Sequence, residues 1–577
     1  MPLAAALRRV LSKGYGARHL KDDLMAGTVV GIVALPLSMA LAIAVGVPPQ
    51  HGLYTAILAG AATALLGGCK FQVTGPTAAF IVILAPIVTK HGLTGLLTAG
   101  FMAGLILIGM GVAKLGQLIQ YIPYPVTTGF TSGIAVVIAT LQIKDILGLE
   151  VAHMPDHYAE KLGALWAARG TFDPRELGVA AVTFALLLLV PKATKRVPAP
   201  LLAIGAATVG AAVLHALVPG FEVATIGSRF RTVIDGVTVA GIPRALPSPA
   251  LPWGAGLPSW SLLSELMPSA FAIAMLGAIE SLLSCVIADG MTQTRHEPNS
   301  ELVGLGIGNL VAPLFGGIAA TGALARTATN IRAGARSPLA AVWHAVIVLL
   351  AIVLLAPAVA FVPMASLAAL LLLVAWNMSE VHHFVGVVRR APKSDTAVLL
   401  ACFFLTVVFD MVVAIGVGVV LAALLFMRRM AELTQARAVL QNRDEADGRV
   451  LPARVMLYEI AGPLFFGAAS NAMSQLMVTR GDTFDVLVID LSKVPVIDAT
   501  GMVGLEQTVA SMVRDKKTIV LAGPLPKPER IWERSKLTQT REHVTFTSDL
   551  QDALSLAERM VGERHSAPPG ARKSIPG

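Results

Sequence analysis

Long apolar segments recur along the first three quarters of the chain. Most hold roughly 17–25 residues with few charges, which is the length that a helix needs to cross a ~30 Å hydrocarbon layer. This pattern is typical of a polytopic α-helical membrane protein. It predicts about fourteen spans, several of them short or broken, at residues 24–46, 52–67, 74–89, 93–112, 125–142, 177–191, 200–217, 263–288, 300–316, 322–335, 339–356, 363–378, 395–409 and 411–427.

The pattern changes beyond Arg428, where charged residues return at ordinary density. Strand-like and helix-like stretches then alternate, which indicates a small α/β domain with strands near 455–460, 485–491 and 518–522 and helices near 498–513 and 527–537. The end of the chain is rich in proline, glycine and charge, a composition typical of disorder. We therefore expect a cytoplasmic N-terminal segment (1–22), a membrane domain (23–430), a linker (431–452), the α/β domain (453–562) and a disordered tail (563–577).

Two of the predicted spans are interrupted near their start. Thr74-Gly75 and Thr321-Gly322 each follow an extended stretch and precede an unusually short helix. Non-helical backbone at membrane depth is tolerated only where it is buried in protein or lines a cavity. Short, interrupted segments at corresponding positions of two halves are the pattern of a transport site between inverted repeats. The two Thr-Gly pairs therefore predict a binding site near the middle of the bilayer.

The composition agrees with a membrane location. Apolar residues make up 55% of the chain and charged residues 14%, against about 25% charged in a typical soluble protein. The net charge of +9 comes largely from basic residues that flank the spans, such as Arg8, Arg9 and Arg428. The positive-inside rule places these residues in the cytoplasm. We expect a multi-pass protein of a bacterial inner membrane, with both termini cytoplasmic and no nucleic-acid partner.

The sequence carries no motif for metal binding, phosphate binding or covalent catalysis. Cys69, Cys285 and Cys402 lie in or beside apolar segments and lack metal-ligand spacing. A glycine-rich phosphate loop ending in Lys-Ser/Thr is absent, and so is a nucleophile elbow. We therefore expect no cofactor, no metal site, no enzymatic activity and no hydrolysis of ATP within this chain.

Glu280 lies near the centre of the otherwise apolar segment 263–288. An ionisable group there costs about 3 kcal/mol on insertion scales, so such residues usually line a cavity or a pathway. Ser284 is four residues further on and shares the helix face of Glu280, with Ser281 beside them. Desolvation favours the neutral form of a carboxyl group, which suits Glu280 to take up a proton with an anion. The alternative is a protonated side chain that only forms hydrogen bonds between helices.

Arg326 lies one turn into the second interrupted helix. The N-termini of the two short helices present free N–H groups and the positive ends of their dipoles, and this combination suits an anion. Thr77 and Thr321 add hydroxyl groups there. The alternatives are that Arg326 forms a structural ion pair, for example with Glu280, and that the two threonines only cap helices.

Several segments together resemble the SulP family of anion transporters. In that family a membrane domain of seven plus seven inverted repeats, divided into core and gate, is followed by a cytoplasmic α/β STAS domain. The resemblance implies this fold for the present chain. The membrane segments that carry it are 35–40, 73–78, 277–283 and 330–334, and the STAS segments are 488–494 and 497–501.

Members of this family bind substrate between the third and tenth helices, beside an acidic position of the eighth. The resemblance therefore implies a substrate site, and its members here are Thr77, Glu280, Ser281, Ser284, Gly322, Ala323 and Leu324. We add Arg326 from its position, and we expect Glu280 to couple transport to protons. Some sodium-coupled bicarbonate members have Asp and hydroxyl residues at several positions. This chain has there Glu280, Ser284, Cys285 and Leu324, which argues against a sodium site.

Within the family, the membrane part resembles the C4-dicarboxylate transporters, in segments 142–145, 224–228, 299–304 and 374–380. This resemblance implies secondary active import of succinate, fumarate or aspartate-like anions, with protons as the coupling ion. It also suggests a homodimer. A cytoplasmic protein partner at the STAS domain is expected as well, although Ala499 stands where some relatives have a phosphorylated serine.

Two alternatives stay open. The same fold could carry sulfate or bicarbonate, with or without sodium coupling. The chain could instead be a membrane sensor whose anion site signals through the STAS domain without net transport.

Overall fold

The computed structural model of this chain describes residues 3–119, 123–152, 154–155, 157–194, 197–234, 237–244, 246–254, 256, 258–409, 411–439, 451–478, 483–523 and 543–566. The chain divides into two compact units, Met1–Val420 and Leu421–Gly577. Each unit has its own architecture.

Helices make up most of the first unit. They are α1 (Ala5–Ser12), α2 (Ala17–Val45), α3 (Pro49–Leu66), α4 (Ile81–Val112), α5 (Gly116–Ile119), α6 (Tyr124–Ile146), α7 (Tyr158–Ala167), α8 (Pro174–Ala193), α9 (Ala199–Leu217), α10 (Ile226–Arg229), α11 (Trp260–Thr292), α12 (Pro298–Leu314), α13 (Leu324–Arg332), α14 (Leu339–Val359), α15 (Met364–Met378), α16 (Val381–Arg390), α17 (Lys393–Val408) and α18 (Met411–Leu433), which begins in it. Short strands interrupt them, and these are β1 (Thr74–Gly75), β2 (Arg231–Ile234), β3 (Val237–Ala240) and β4 (Thr321–Gly322). Single 3-10 turns lie at Ala78–Phe80 and Ala168–Thr171.

Each predicted span coincides with a helix or part of one. The spans predicted at 74–89 and 93–112 both belong to α4, which breaks at Gly92 (φ 64°, ψ −167°). That backbone conformation is open essentially to glycine alone. Among the described residues, nine helical stretches are long and apolar enough to cross a membrane by these criteria alone. Shorter helices such as α13 account for other predicted spans, because they need not cross the bilayer by themselves.

The helix packing shows the two inverted repeats. α2 packs against α14, and α4 packs against α11. When α4 is counted as two spans, exchanging the first seven spans with the last seven converts the α2–α14 pair into the α11–α4 pair. The pairs α6–α17 and α15–α8 exchange in the same way. β1 and β4 occupy equivalent places in the two halves and pair antiparallel. The predicted fold of two inverted repeats is therefore confirmed.

Glu301, on the first turn of α12, holds the extended stretch that leads into β1. Its Oε2 accepts hydrogen bonds from the backbone N–H groups of Gly68 (2.7 Å) and Cys69 (2.8 Å), and its Oε1 accepts one from Gln72 Nε2 (2.7 Å). The side chain is buried, and burial of a carboxyl group is costly unless such partners are present. Glu301 thus replaces the helical hydrogen bonds that this stretch lacks.

Asp23 makes a second clamp, between the start of α2 and the residues before α14. Its Oδ1 accepts hydrogen bonds from the N–H groups of Arg336 (2.6 Å) and Ser337 (3.0 Å), and its Oδ2 accepts them from the hydroxyls of Tyr15 (2.7 Å) and Ser337. Burial and the hydrogen bond to Asp23 raise the pKa of Tyr15 to about 12. Tyr15 therefore remains a donor at neutral pH, and the clamp fixes two helices of opposite repeats to each other.

The second unit is an α/β domain. Its sheet has the order β5 (Gln435–Val439), β6 (Val455–Ala461), β7 (Val486–Lys493), β8 (Thr518–Ala522) and β9 (Val544–Thr547). All neighbouring strands are parallel except β5 and β6. Its helices are α19 (Phe466–Val478), α20 (Ala499–Arg514) and α21 (Leu550–Ser566). Residues from α19 and α20 share one apolar core with the sheet, and residues from α21 share another, so helices cover both faces.

The structure differs from the sequence-based outline at the edges of this unit. The predicted linker (431–452) includes residues 435–439, which in the structure form the edge strand β5, whose backbone pairs with β6. α21 continues to Ser566, beyond the start of the predicted tail. The helix predicted at 527–537 and the tail from residue 567 onward lie outside the described residues.

We expect Glu301→Gln to destabilise the membrane unit. Three N–H donors now face the carboxyl oxygens, and the NH2 group of glutamine would face at least one of these donors without accepting a hydrogen bond from it. Loss of a hydrogen bond to a charged group costs about 1.5–3 kcal/mol. A lower melting temperature of the detergent-purified protein would show this. Glu160→Gln, at an exposed position of α7, is the control. Equal melting temperatures for the two variants would contradict the anchoring role.

Candidate functional site

The two interrupted segments meet at one place in the membrane unit. Thr74 pairs with Gly322 and Gly75 pairs with Thr321. The N–H of Ala323 also donates to the carbonyl of Val73 (2.9 Å). The predicted proximity of the two Thr-Gly pairs is therefore confirmed. We call this pairing of β1 and β4 the strand crossing.

A helical segment begins within three residues of the end of each strand of the crossing. A 3-10 turn starts at Ala78 and continues into α4, and α13 starts at Leu324. The first N–H groups of a helix have no carbonyl partner within that helix. Together with the helix dipoles they make the region around the crossing electropositive. This is the kind of environment that binds anions at helix N-termini.

α11 supports the crossing with two serines. Ser281 Oγ lies 2.9 Å from Thr321 Oγ1 and accepts a hydrogen bond from the N–H of Gly322 (2.8 Å). Ser284 Oγ donates to Thr327 Oγ1 (3.2 Å). Both serines are fully buried. The structure thus places these two predicted site residues behind the strands, where their hydroxyl groups bond to the protein itself.

Glu280 lies beside the crossing on the same helix. Its Oε2 accepts a hydrogen bond from Thr77 Oγ1 (2.9 Å), and both residues are half-buried. Thr77 is the last residue before the 3-10 turn that leads into α4. The structure therefore brings the predicted carboxyl group to the N-terminus of the first short helix.

Arg326 is the largest fully buried polar side chain of the site, with 2% exposure. One of its terminal nitrogens, Nη2, donates to the carbonyl of Pro76. Nε and Nη1 have no acceptor among the described residues. A Cβ atom on Gly75 would lie 2.6 Å from Nη1, so glycine is needed here for the guanidinium to lie against the strand.

Arg326 and Glu280 form no salt bridge, although their charges interact. Within the described residues the guanidinium bonds to Pro76 and the carboxyl group bonds to Thr77. Leaving buried N–H donors unpaired is costly. An anion at the crossing would supply the missing acceptors.

Side chains near the crossing differ in exposure. On α11, Leu283 and Ile287 continue the face of Glu280 toward the C-terminal end of the helix and are 38% and 36% exposed. On the other side of Glu280, Leu276 is fully buried. Leu324, at the start of α13, is 43% exposed, whereas the predicted site residue Ala323 is buried.

Two asparagines outside the predicted site hold the extended segments in place. Asn309 Nδ2 donates to the carbonyl of Ala320 (2.9 Å), and Asn309 Oδ1 accepts from the N–H of Ala320 (2.8 Å). Asn330 Nδ2 donates to the carbonyl of Phe71 (2.9 Å). Both are fully buried. Their signal in the sequence is an amide within or beside an apolar segment, the same kind of signal that singled out Glu280.

The described residues contain no group of three or more His, Cys, Asp or Glu side chains that could hold a metal ion. The donors at the crossing are N–H groups, hydroxyls and a guanidinium. Such a set recognises an anion.

Comparisons with known families match both units of the chain. The model of the sulfate permease family matches residues 20–402, and that of the STAS domain matches residues 449–553.

Two bacterial relatives match nearly the whole chain. "Putative sulfate transporter YvdB" of Bacillus subtilis is 40% identical over 530 residues, which cover 91% of this chain and 95% of that protein. The bicarbonate transporter BicA of Picosynechococcus is 30% identical over 543 residues, which cover 90% and 91%.

Solved structures show the same architecture. The overall structure of SLC26A9 matches with a TM-score of 0.83 at 17% identity and covers 98% of this chain and 94% of that one. The transmembrane domain of a cyanobacterial BicA matches with a TM-score of 0.59 at 28% identity, over 71% and 98% of the two chains. The chain belongs to the sulfate permease family of multi-pass membrane anion transporters, and it carries a C-terminal STAS domain.

Proposed function

We propose that this chain is a secondary active transporter that carries a small oxyanion, with sulfate as the first candidate, together with a proton. The observation that carries the proposal is Arg326, which is buried at the strand crossing with two N–H-bearing nitrogens unpaired among the described residues. The N-termini of α13 and of the 3-10 turn before α4 flank the same place. Positive charge and unpaired donors together favour an anion with several oxygen acceptors.

Glu280 gives a reason for proton coupling. When its carboxyl group is ionised, its negative charge opposes that of an anion bound at the crossing. When it is protonated, the positive charge of Arg326 interacts with the anion without competition from Glu280. Binding of the proton and binding of the anion therefore favour each other, and such coupling is reciprocal. Carried together across the membrane, the two would make the transporter a symporter.

The substrate choice rests on the relatives and on charge. The relative at 40% identity is named for sulfate and the one at 30% for bicarbonate. A doubly charged anion is attracted more strongly than a singly charged one to a fixed guanidinium and two helix N-termini. Sulfate is therefore placed before bicarbonate. A C4-dicarboxylate, which the sequence predicts first, becomes the second candidate because the relatives are named for sulfate and bicarbonate. It stays a candidate because segments such as 142–145 resemble those of dicarboxylate transporters.

The site residues enter this proposal in different roles. Arg326, Glu280 and Thr77 face the anion, as do the backbone N–H groups that begin at Leu324. Ser281, Ser284, Gly322 and Ala323 shape the crossing from behind. We further propose that the protein is a homodimer of the bacterial inner membrane with both termini in the cytoplasm. The STAS domain would bind a regulatory protein there.

Reconstituted protein is expected to take up labelled sulfate faster when the lumen is alkaline relative to the outside. Sodium is expected to have no effect, because Glu280, Ser284, Cys285 and Leu324 depart from the pattern of the sodium-coupled members that this chain resembles. The measurement is flux into proteoliposomes with sulfate, bicarbonate and succinate as alternative substrates and as competitors. Uptake of succinate that sulfate does not inhibit would favour the second candidate. Anion binding without any flux would favour the interpretation of the protein as a membrane sensor.

Glu280→Gln is expected to remove the pH dependence of uptake. The amide is neutral at every pH, so anion binding no longer needs a proton, and a pH gradient no longer drives accumulation. Initial rates measured between about pH 5 and pH 8 test this, because the wild-type rate should rise as external pH falls. Glu265→Gln is the matched control on the same helix, since Glu265 is exposed and its contacts with Lys90 and His91 lie away from the crossing, near the N-terminal end of α11. A Glu280→Gln variant that keeps the wild-type pH profile would contradict the coupling role.

Gly75→Ala is expected to weaken anion binding without unfolding the protein. The new methyl group would displace the Arg326 guanidinium, whose Nη1 it would approach to 2.6 Å. We expect KM for sulfate to rise about ten-fold, the equivalent of ~1.4 kcal/mol. Gly109→Ala, where a Cβ meets nothing within 4 Å, should leave KM unchanged. Similar KM values for the two variants would mean that Arg326 does not contact the substrate.

A further inference from the structure

Helices α16 and α17 form a hairpin after the twelfth predicted span. Glu380 interrupts the helix before them, because its backbone is left-handed (φ 44°, ψ 42°). Phe384 of α16 packs edge-on against Phe403 of α17, with ring centroids 5.3 Å apart. Nearer the turn, Thr396 Oγ1 donates to the carbonyl of Val387 (3.5 Å). α16 therefore runs antiparallel along the first part of α17.

The closed end of this hairpin lies at the membrane surface. Residues 391–392 form it between the twelfth and thirteenth predicted spans, and the proposed topology puts a connection there in the cytoplasm. The other end lies deeper. Phe403 is ten residues into α17, or roughly 15 Å, and the carbonyl of Ser379 accepts a hydrogen bond (2.7 Å) from Ser132, which is roughly 12 Å into α6. α16 thus extends from the surface into the cytoplasmic leaflet.

One side of α16 is apolar but is not packed against α17. Phe384 and Val387 make the contacts with α17. Val381, Val385 and Val388, spaced by four and three residues, share a neighbouring face. Each of these three valines is between 36% and 40% exposed. We call them the valine stripe, which runs over roughly 10 Å from the closed end of the hairpin toward the membrane interior.

The closed end carries a positive excess. Arg389 and Arg390 are the last residues of α16 and Lys393 is the first of α17, and all three are exposed. Among the described residues they take part in no ion pair. Asp395 lies two residues after Lys393, whereas Glu380 is at the opposite end of α16. One carboxylate and the negative end of the α16 dipole, which is worth about half a charge, offset only part of the three positive charges.

We propose that this hairpin binds an anionic phospholipid of the cytoplasmic leaflet. The phosphate lies at Arg389, Arg390 and Lys393, and an acyl chain lies along the valine stripe. Arginine pairs with phosphate oxygens through parallel N–H···O bonds, and basic groups next to spans on the cytoplasmic side attract anionic head groups. The apolar stripe that leads inward from the cations fits a lipid better than a free phosphate. This ligand is distinct from the transported anion, and the inference uses only the proposed topology.

The test measures which lipids contact the valine stripe in the full-length protein. Val385→Cys is labelled with a thiol-reactive fluorophore and reconstituted in phosphatidylcholine vesicles. The label goes to this position because the native cysteines are buried. Two quencher lipids, phosphatidylglycerol and phosphatidylcholine with the same nitroxide on an acyl chain, are compared at equal mole fraction. We expect quenching by the phosphatidylglycerol to be about five-fold stronger, which corresponds to ~1 kcal/mol of preference.

Charge variants of the labelled protein identify the residues that make this preference. Arg389→Gln with Arg390→Gln and Lys393→Gln should bring the ratio of the two quenching efficiencies close to one. Arg389→Lys with Arg390→Lys should retain most of the preference, because the charge is kept. Arg8→Gln is the control, since Arg8 is an exposed cation of another helix, α1, and it should leave the ratio unchanged.

A salt series on the labelled protein without charge substitutions makes the test independent of how the charge variants fold. Ionic strength screens exposed charges, so added neutral salt should lower the ratio. Equal quenching by the two lipids would overturn the lipid site, and so would an unchanged ratio in a folded triple variant. Quenching by neither lipid would also overturn it, because the stripe would then be covered by protein. No transport is measured, so these outcomes are separate from those that test the proposed function.

Discussion

The membrane unit depends on how the unpaired backbone of two extended segments is satisfied away from water. In hydrocarbon, each unsatisfied N–H or C=O group costs several kcal/mol. The strands β1 and β4 satisfy part of this need by pairing with each other. The carboxyl group of Glu301 and the amides of Asn309 and Asn330 satisfy much of the rest. Because these partners come from different helices, the crossing forms only when both repeats are packed together.

The same constraint produces the binding chemistry. Breaking a helix inside the membrane creates new helix N-termini, whose free N–H groups have no water to bond to. Arg326 adds a charge at this place and remains partly unpaired among the described residues. The close approach of its guanidinium to β1 requires Gly75. The interruption thus gathers N–H donors and the guanidinium of Arg326 at one place, and in the proposed mechanism the protonation of Glu280 changes the charge beside them.

Sequence and tertiary structure contributed different parts of this description. Apolar length and period set the number of spans, and the Thr-Gly interruptions with Glu280 and Arg326 marked the site, because these features are local and energetically expensive in a membrane. The sequence could not show that Ser281 and Ser284 bond to the crossing, that Glu301 anchors a loop more than two hundred residues away, or that Arg326 and Glu280 have separate partners. Those facts depend on which helices pack side by side, and packing is decided by contacts between residues far apart in the chain.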